Sequence, residues 1–132
     1  MNTVNHELAR RFFAALSSGS IPDDLLTADM TVWTTTSGTS GKARYQAGIR
    51  MLASIFSGGI SYTVDSLTAE DDRVVAEVQG RGTLINGETY HNIYVYIFRI
   101  RDGRIASVAE HFNPDPPRQQ LGPLMQAAMS KA

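Results

Sequence analysis

Residues 83–113 read TLINGETYHNIYVYIFRIRDGRIASVAEHFN. Aromatic and β-branched side chains alternate with polar ones, which is typical of strands in a sheet. The dipeptides Asn86-Gly87 and Asp102-Gly103 divide the stretch into three runs, and both dipeptides favour tight hairpin turns. The stretch therefore predicts consecutive antiparallel strands.

The first turn sets the expected register of these strands. A two-residue type I′ turn at Asn86-Gly87 pairs Ile85 with Glu88 and places Thr83 opposite Tyr90. Side chains of a strand alternate between the two faces of a sheet. One face is then expected to carry Glu77, Gln79, Arg81, Asn92, Tyr94, Tyr96 and Phe98.

The second turn admits two registers. A three-residue loop, Arg101-Asp102-Gly103 with Gly103 in the left-handed position, sets Tyr94 opposite Glu110. A two-residue Asp-Gly turn sets Glu110 opposite Val95, on the other face. We adopt the three-residue loop, which adds Val108, Glu110 and Phe112 to the face described above.

The two predicted faces differ in chemistry. The face with Glu110 mixes aromatic rings with polar ends, as the wall of a small-molecule pocket does. The other face is smaller and mostly aliphatic; it carries Val78, His91, Ile93, Val95, Ile97, Ala109 and His111. Because helices are expected on one face only, a homodimer through Ile93, Val95 and Ile97 is predicted to cover the other.

The rest of the chain predicts helices followed by further strands. A helix is expected over 3–17, with Val4, Leu8, Phe12, Ala15 and Leu16 on one side and Gly19 at its end. A short helix over 21–26 with Ser20 as N-cap, a strand over 30–36 and a helix over 43–56 follow. Strands at 60–69 and 73–85 complete an α+β fold, with N-terminal helices packed on a curved antiparallel sheet that encloses a pocket.

Composition limits the classes of protein that remain. The 132 residues, 42% of them hydrophobic, suit one domain over 1–132, with 114–132 as a C-terminal tail or short helix. A net charge of −1 gives no reason to expect nucleic acid or a membrane surface as partner. No cysteine, signal peptide or membrane span is recognisable, so a cytoplasmic location is expected.

Two motifs suggest ligands and are rejected. The segment TTTSGTSGKA is close to a phosphate-binding loop, but Thr36 replaces the first glycine and Ala43 the magnesium-binding hydroxyl. It is interpreted as a flexible loop and an N-cap. His91 and His111 share a predicted face, but no third ligand is near them in sequence, so interface histidines are favoured over a metal site. No cofactor is implied.

The order of these elements resembles the NTF2-like superfamily, which includes ketosteroid isomerases, limonene epoxide hydrolases and SnoaL-type polyketide cyclases. The most specific part is YHNIYVYIFRIRDGRI followed by AEHFN, and the resemblance extends to about Asn113. It implies a cone-shaped α+β domain with a small-molecule pocket. A fold of this kind does not specify a reaction.

The resemblance also assigns positions to catalytic groups. Glu110 falls where limonene epoxide hydrolases place the aspartate that activates water, but Gln79 and Arg81 occupy the stretch where those enzymes have an Arg and an Asp. Phe12, Thr34 and Tyr96 match the three functional positions of ketosteroid isomerases. Because Thr34 is not a carboxylate, steroid isomerisation by that mechanism is not expected.

Glu110 is the principal candidate for catalysis, with Tyr94 and Arg81 as partners that stabilise negative charge. The alternative is that these three groups only satisfy one another in a buried polar cluster. The expected ligand is small, apolar or aromatic, and oxygenated. The protein is either an acid-base enzyme of the isomerase, cyclase, hydrolase or dehydratase type, or a non-catalytic binding module. The predicted pocket wall comprises Phe12, Trp33, Thr34, Glu77, Gln79, Asn92, Tyr96, Phe98, Val108 and Phe112.

The tail regains helical spacing after a proline-rich break. Apolar residues recur at Leu121, Leu124, Met125, Ala128 and Met129. So short a helix needs support. It is predicted to rest on the mouth of its own pocket, as a lid, or on a partner subunit; the alternative is a frayed tail.

Overall fold

The structure, a computed structural model, describes residues 3–130; residues 1–2 and 131–132 of the predicted domain and tail lie outside the described residues. Three α-helices and six strands follow one another along the chain. They are α1 (Thr3–Ser18), β1 (Leu26–Thr34), β2 (Gly38–Gly41), α2 (Lys42–Ser54), β3 (Phe56–Glu70), β4 (Arg73–Leu84), β5 (Thr89–Arg101), β6 (Arg104–Phe112) and α3 (Gly122–Ser130). The predicted α+β class is confirmed.

The strands form one sheet in the order β2-β1-β6-β5-β4-β3. Strands β3 to β6 pair as the antiparallel meander that the sequence predicts. Strand β1, however, lies parallel to β6, so the sheet is mixed and the expectation of a wholly antiparallel sheet is wrong. A parallel pair needs a long connection between its strands, and α2 with the meander supplies it.

Helix α1 packs on the sheet through its apolar side. Leu8, Phe12 and Leu16 are buried, whereas Val4, which the spacing places on the same side, is 75% exposed at the first turn. Gly19 ends the helix with a φ of +84°, a conformation that favours glycine. The predicted short helix over 21–26 is only a 3₁₀ turn, Asp23–Leu25, without a side-chain cap.

The glycine-rich segment after β1 is an edge strand and not the flexible loop that was expected. Residues Gly38–Gly41 form β2, which pairs antiparallel with the end of β1. Gly41 then precedes α2 as its N-cap residue, with no side-chain hydrogen bond. The two-strand ribbon brings the start of α2 beside β1.

The first hairpin has a register that differs by one residue from the prediction. Thr83 pairs with Thr89, and Leu84 N donates to Glu88 O at 2.8 Å, which leaves a loop of three residues closed by Gly87 with a φ of +91°. Leu84 is thereby buried in the core, and burial of a leucine outweighs the local preference for a two-residue turn. Glu77, Gln79 and Arg81 consequently lie on the face opposite to the predicted one.

The second hairpin contains the two-residue turn that was rejected, together with a bulge. Asp102 and Gly103 both have positive φ, and Arg101 pairs with Arg104. The pairing then shifts, because Ile100 lies opposite Ile105 but Arg99 lies opposite Ser107, which leaves an extra residue in β6. The shift restores the alternation, so Glu110 is on the predicted face, opposite Tyr96 instead of Tyr94.

Close packing shapes the inner face of β4. A Cβ atom on Gly82 would lie 2.6 Å from the ring of Phe56, so only glycine allows this ring to cross the strand. Phe56 belongs to a second apolar cluster, separate from the main core beneath α1; the cluster also contains Tyr90 and Leu121. None of the helices between residues 3 and 130 is long and apolar enough to cross a membrane.

Candidate active site

A cavity of about 420 Å³ lies between the inner face of the sheet, helix α2 and the C-terminal segment. This size suits a small organic ligand. The wall is mainly apolar and aromatic, with a few polar groups. It comprises Val32, Thr34, Thr36, Ser37, Ser40, Arg44, Tyr45, Gly48, Ile49, Leu52, Tyr62, Tyr94, Tyr96, Glu110, Phe112, Pro117, Arg118, Leu121, Gly122 and Met125.

Glu110 is the carboxyl group of this cavity, and its side chain is almost wholly buried. The Tyr45 hydroxyl donates a hydrogen bond of 2.6 Å to Glu110 Oε1. Burial raises the pKa of Glu110 to about 7, and the hydrogen bond from Tyr45 opposes this rise. A carboxyl with such a pKa can both take up and release a proton near neutral pH.

Tyr45 is a site residue that the sequence interpretation missed. It lies on α2, is 7% exposed, and its ring stacks on Phe12 at a centroid distance of 6.5 Å. The helical spacing contained the signal, because Tyr45 precedes Ile49 and Leu52 by one and two turns on the side predicted to face inward. The same spacing therefore places the Tyr45 hydroxyl at the pocket together with Ile49 and Leu52.

Three further tyrosines surround the cavity. Tyr62, Tyr94 and Tyr96 line it, and Tyr94 shares a 2.7 Å hydrogen bond with the hydroxyl of Tyr90. Burial raises the pKa of each of these phenols above the usual 10, so the hydroxyls stay neutral and can donate hydrogen bonds. Tyr62 was not predicted, because the register of β3 is set only by its pairing with β4.

Of the predicted catalytic partners, Tyr94 lies at the cavity and Arg81 does not. Tyr94 stands opposite Phe112, and its hydroxyl forms its hydrogen bond with Tyr90, whereas the hydrogen bond to Glu110 comes from Tyr45. Arg81 is exposed on the other face, where its guanidinium donates to Gln79 Oε1 at 3.0 Å. The structure therefore brings Glu110 and Tyr94 to one cavity as predicted, but the expected place of Arg81 beside them is wrong, because the one-residue shift of the first hairpin turns Arg81 outward.

Some residues of the predicted pocket wall also line the cavity, and others do not. Thr34, Tyr96 and Phe112 line the cavity. Phe12, Phe98 and Val108 are buried in the core behind it, where they pack against one another and leave no surface to a ligand. Glu77 and Gln79 lie on the outer face with Arg81 and bind Ser66 and Asp65 respectively, each through a side-chain hydrogen bond.

Asn92 and Trp33 are the two remaining predicted wall residues. Asn92 is buried on the inner face, but its amide donates to the backbone oxygen of Asn113 at 2.9 Å, so it ties the end of β6 to β5 instead of facing a ligand. Trp33 points outward, is 38% exposed and packs on His111 at a ring distance of 4.8 Å. Odd-numbered residues at the end of β1 face away from the cavity, whereas Thr34 faces it.

The two histidines on the outer face have protein partners. His91 Nε2 is 3.1 Å from Gln79 Oε1, and His111 contacts Trp33. Across residues 3–130, no group of three or more histidine, aspartate or glutamate side chains is arranged to hold a metal ion.

The family model for the SnoaL-like domain matches residues 9–108. The chain belongs to the SnoaL-like family. The match covers most of α1, all of α2, strands β1 to β5, the first half of β6 and most of the residues that line the cavity, but not α3. It confirms the resemblance to the NTF2-like superfamily. It ends two residues before Glu110, so the assignment concerns the fold and the pocket and not the role of this carboxyl.

Solved structures with the same fold include proteins of several kinds. An NTF2-like protein from Anabaena variabilis is 28% identical, with a TM-score of 0.76 over 86% of this SnoaL-like chain and 90% of its own. TsrD from Streptomyces laurentii is 24% identical (TM-score 0.76, 92% and 97% coverage). An LEH-like epoxide hydrolase from M. tuberculosis is 17% identical (TM-score 0.73, 86% and 81% coverage). No curated protein sequence matches the chain.

Proposed function

We propose that this SnoaL-like protein is a cofactor-independent enzyme that transfers a proton within a small, largely apolar and oxygenated molecule. One observation carries the proposal: Glu110, with a pKa raised to about 7, is held by Tyr45 on the wall of a cavity lined by neutral tyrosines. General bases of enzymes are commonly carboxyl groups that lie in a pocket and have a shifted pKa.

Tyr45 donates a hydrogen bond to one oxygen of the Glu110 carboxyl group, and the other oxygen is available to a substrate. Among residues 3–130, Glu110 Oε1 accepts the phenolic hydrogen bond, and no described donor binds Oε2. Since Tyr45 stays protonated, it holds the carboxylate in one orientation and does not compete for its proton. Tyr45 is thus a positioning residue for Glu110, and Oε2 takes the substrate proton.

Proton abstraction next to a carbonyl suits this arrangement. Ionised Glu110 removes the proton, the C–H electron pair moves toward the carbonyl oxygen, and the resulting oxyanion accepts a hydrogen bond from a neutral phenol. Tyr96, directly opposite Glu110 on β5, and Tyr62 are the donors at hand. Protonated Glu110 then returns the proton to another carbon of the enolate, which is an isomerisation. Alternatively, the enolate carbon attacks a second carbonyl carbon of the same molecule, the C=O π electrons move to that oxygen, and the oxygen takes the proton back from Glu110, which is a cyclisation.

Epoxide opening, the activity named for the M. tuberculosis neighbour, fits less well. It requires a base for the water and an acid for the leaving oxygen. Among residues 3–130, only Glu110 contributes a carboxyl group to the cavity, and the cationic partner expected from sequence, Arg81, lies on the other face. A tyrosine would have to supply the proton, although burial raises its pKa and weakens it as an acid.

The test compares Glu110→Gln with wild type on enones, aldol substrates of the polyketide kind and epoxides. We expect the substitution to lower kcat by about 100-fold or more, because glutamine cannot accept the proton. Glu77→Gln, on the outer face, is the control and should keep wild-type activity. Turnover that survives Glu110→Gln unchanged would contradict the proposal.

Tyr45→Phe tests the positioning role separately. Loss of its hydrogen bond removes the contact that lowers the pKa of Glu110, so the rising limb of kcat/KM against pH should move upward from about 7. A merely structural role would lower activity equally at every pH.

A non-catalytic carrier is the second candidate, favoured by the threonine at position 34, where the ketosteroid isomerases have their base, and by the outward position of Arg81. Native mass spectrometry of the freshly purified protein would detect a co-purifying ligand. Reproducible turnover of that ligand excludes the carrier.

A further inference from the structure

We propose that the ligand carries an oxyanion, a carboxylate or a phosphate, at one end, and that Arg44 and Arg118 hold this end at the mouth of the cavity. This inference rests on the proposed function in so far as both concern the same cavity. It assigns the substrate class: an amphipathic anion whose reacting, uncharged oxygen function lies at the opposite end, beside Glu110.

Arg44 and Arg118 come from separate parts of the chain, and both line the cavity. Arg44 lies in the first turn of α2, and Arg118 lies in the single π-helical turn, Pro117–Leu121, that precedes α3. Both side chains are exposed, whereas Glu110 is buried, so the arginines lie toward solvent and the carboxyl lies within. The cavity therefore has a cationic outer end and a protonatable inner end.

Neither arginine has an acidic partner among residues 3–130. The ion pairs of the described chain join Lys42 to Asp23 and Arg101 to Asp29. Asp115, three residues before Arg118, forms no ion pair with it; the Asp115 backbone N–H binds the Asn113 side chain. Both guanidinium groups line the cavity without an acidic partner among residues 3–130, and each offers a planar set of N–H donors that matches carboxylate and phosphate oxygens.

Charge also determines which way such a ligand enters. With a pKa of about 7, Glu110 is ionised in part of the molecules at neutral pH and would repel an anion at the inner end. Most of the lining surface is apolar, and Ile49, Leu52, Phe112 and Met125 contribute to it. An aromatic or alicyclic body fits this apolar surface, so the anionic group stays at the mouth and the uncharged end reaches Glu110.

The test uses three probes with one aromatic body: 2-naphthylacetate, its methyl ester and 2-naphthyl phosphate. Calorimetry or fluorescence titration of wild type should show at least one anion binding about 10-fold tighter than the ester, as expected for charge-assisted hydrogen bonds. Comparison of the acid with the phosphate identifies which oxyanion is preferred. The preference should shrink at high salt, because both arginines are exposed.

The double variant Arg44→Gln, Arg118→Gln should bind ester and anions with affinities equal to within about twofold. Arg50→Gln, an exposed arginine of α2 that is not on the cavity wall, is the matched control and should keep the preference. A preference that survives in the double variant overturns the proposal. So does a wild type that shows no preference, including one that binds none of the three probes.

Glu110→Gln separates this inference from the proposed function. An anion preference that persists in Glu110→Gln, in a protein without turnover, supports the arginine site while the enzyme proposal fails. Turnover of neutral substrates that depends on Glu110 but not on either arginine gives the opposite result.

Discussion

At the level of single residues, Glu110 is a carboxyl group that folding removes from water. Its carboxyl group is buried among tyrosine rings and has one hydrogen-bond donor, Tyr45. Burial disfavours the charged form, and one phenol does not compensate for the lost hydration. The burial that raises the pKa of Glu110 to near 7 suits proton transfer. It also lowers the free energy of unfolding at alkaline pH, where the buried carboxyl group is charged.

This cost predicts a pH dependence of stability. The folded pKa of about 7 lies above the ordinary value of 4.5, so the contribution of Glu110 to stability is fully present below about pH 4.5 and is lost as the pH rises through 7. The loss is on the order of 3 kcal/mol, from about 1.4 kcal/mol per unit. Urea unfolding of wild type and Glu110→Gln between pH 4.5 and 8 measures it.

Glutamine does not titrate, and it can still accept the hydrogen bond from Tyr45, so the variant isolates the charge. We expect the free energy of unfolding of wild type to fall relative to that of the variant across this range. A constant difference between the two proteins would mean that Glu110 titrates near its ordinary pKa.

At the scale of elements, α3 and the turn before it complete one wall of the cavity. Leu121 is buried in the second apolar cluster with Phe56 and Tyr90, and Leu124 and Met125 pack against this cluster. The C-terminal segment thus lies on its own subunit at the pocket, the first of the two supports predicted from sequence. Met129, on the same short helix, is 64% exposed.

Truncation after Asp115 should weaken binding of a neutral probe such as the naphthyl methyl ester by about 10-fold, because part of the apolar wall is lost. Leu121→Ala tests the same contact without shortening the chain and should lower the free energy of unfolding by about 2–4 kcal/mol. Met129→Ala is the control and should change stability by no more than about 0.5 kcal/mol. Unaltered affinity in the truncated protein would show that α3 does not control the pocket.

At the scale of the whole molecule, the sheet has one covered and one open face. Helices α1, α2 and α3 contribute to the apolar clusters or the cavity on the inner side. The outer face presents Ile93, which is 61% exposed, with Trp33 and the partly exposed Val95 and Ile97. We propose that a second copy of the chain covers this face, since an antiparallel sheet with an exposed aliphatic patch marks an interface.

Light scattering coupled to size exclusion tests the dimer. Val95→Asp should convert the dimer to a monomer. Ile93→Asp should do the same, and because Ile93 is exposed, this second variant should keep its fold. Thr63→Asp, exposed on β3 near the edge of the same face, should remain a dimer. A wild-type monomer, or dimers of both patch variants, would contradict the proposed interface.

The amino-acid sequence by itself determined the kind and order of the main elements. The alternation in residues 83–113 specifies strands, the stripe of Leu8, Phe12 and Leu16 specifies a helix that faces the core, and Gly19 specifies its end. These properties depend on residues that are close in sequence, which is the range over which periodicity and turn preferences act.

Only the tertiary structure decided which side chains meet Glu110. Burial of Leu84 shifts β4 by one residue and turns Arg81 outward, and the bulge in β6 keeps Glu110 on the inner face. Tyr45, 65 residues away in sequence, becomes its hydrogen-bond donor. Strand register and contacts between distant segments depend on how the whole core packs, and a one-residue shift in register reverses every side chain of a strand.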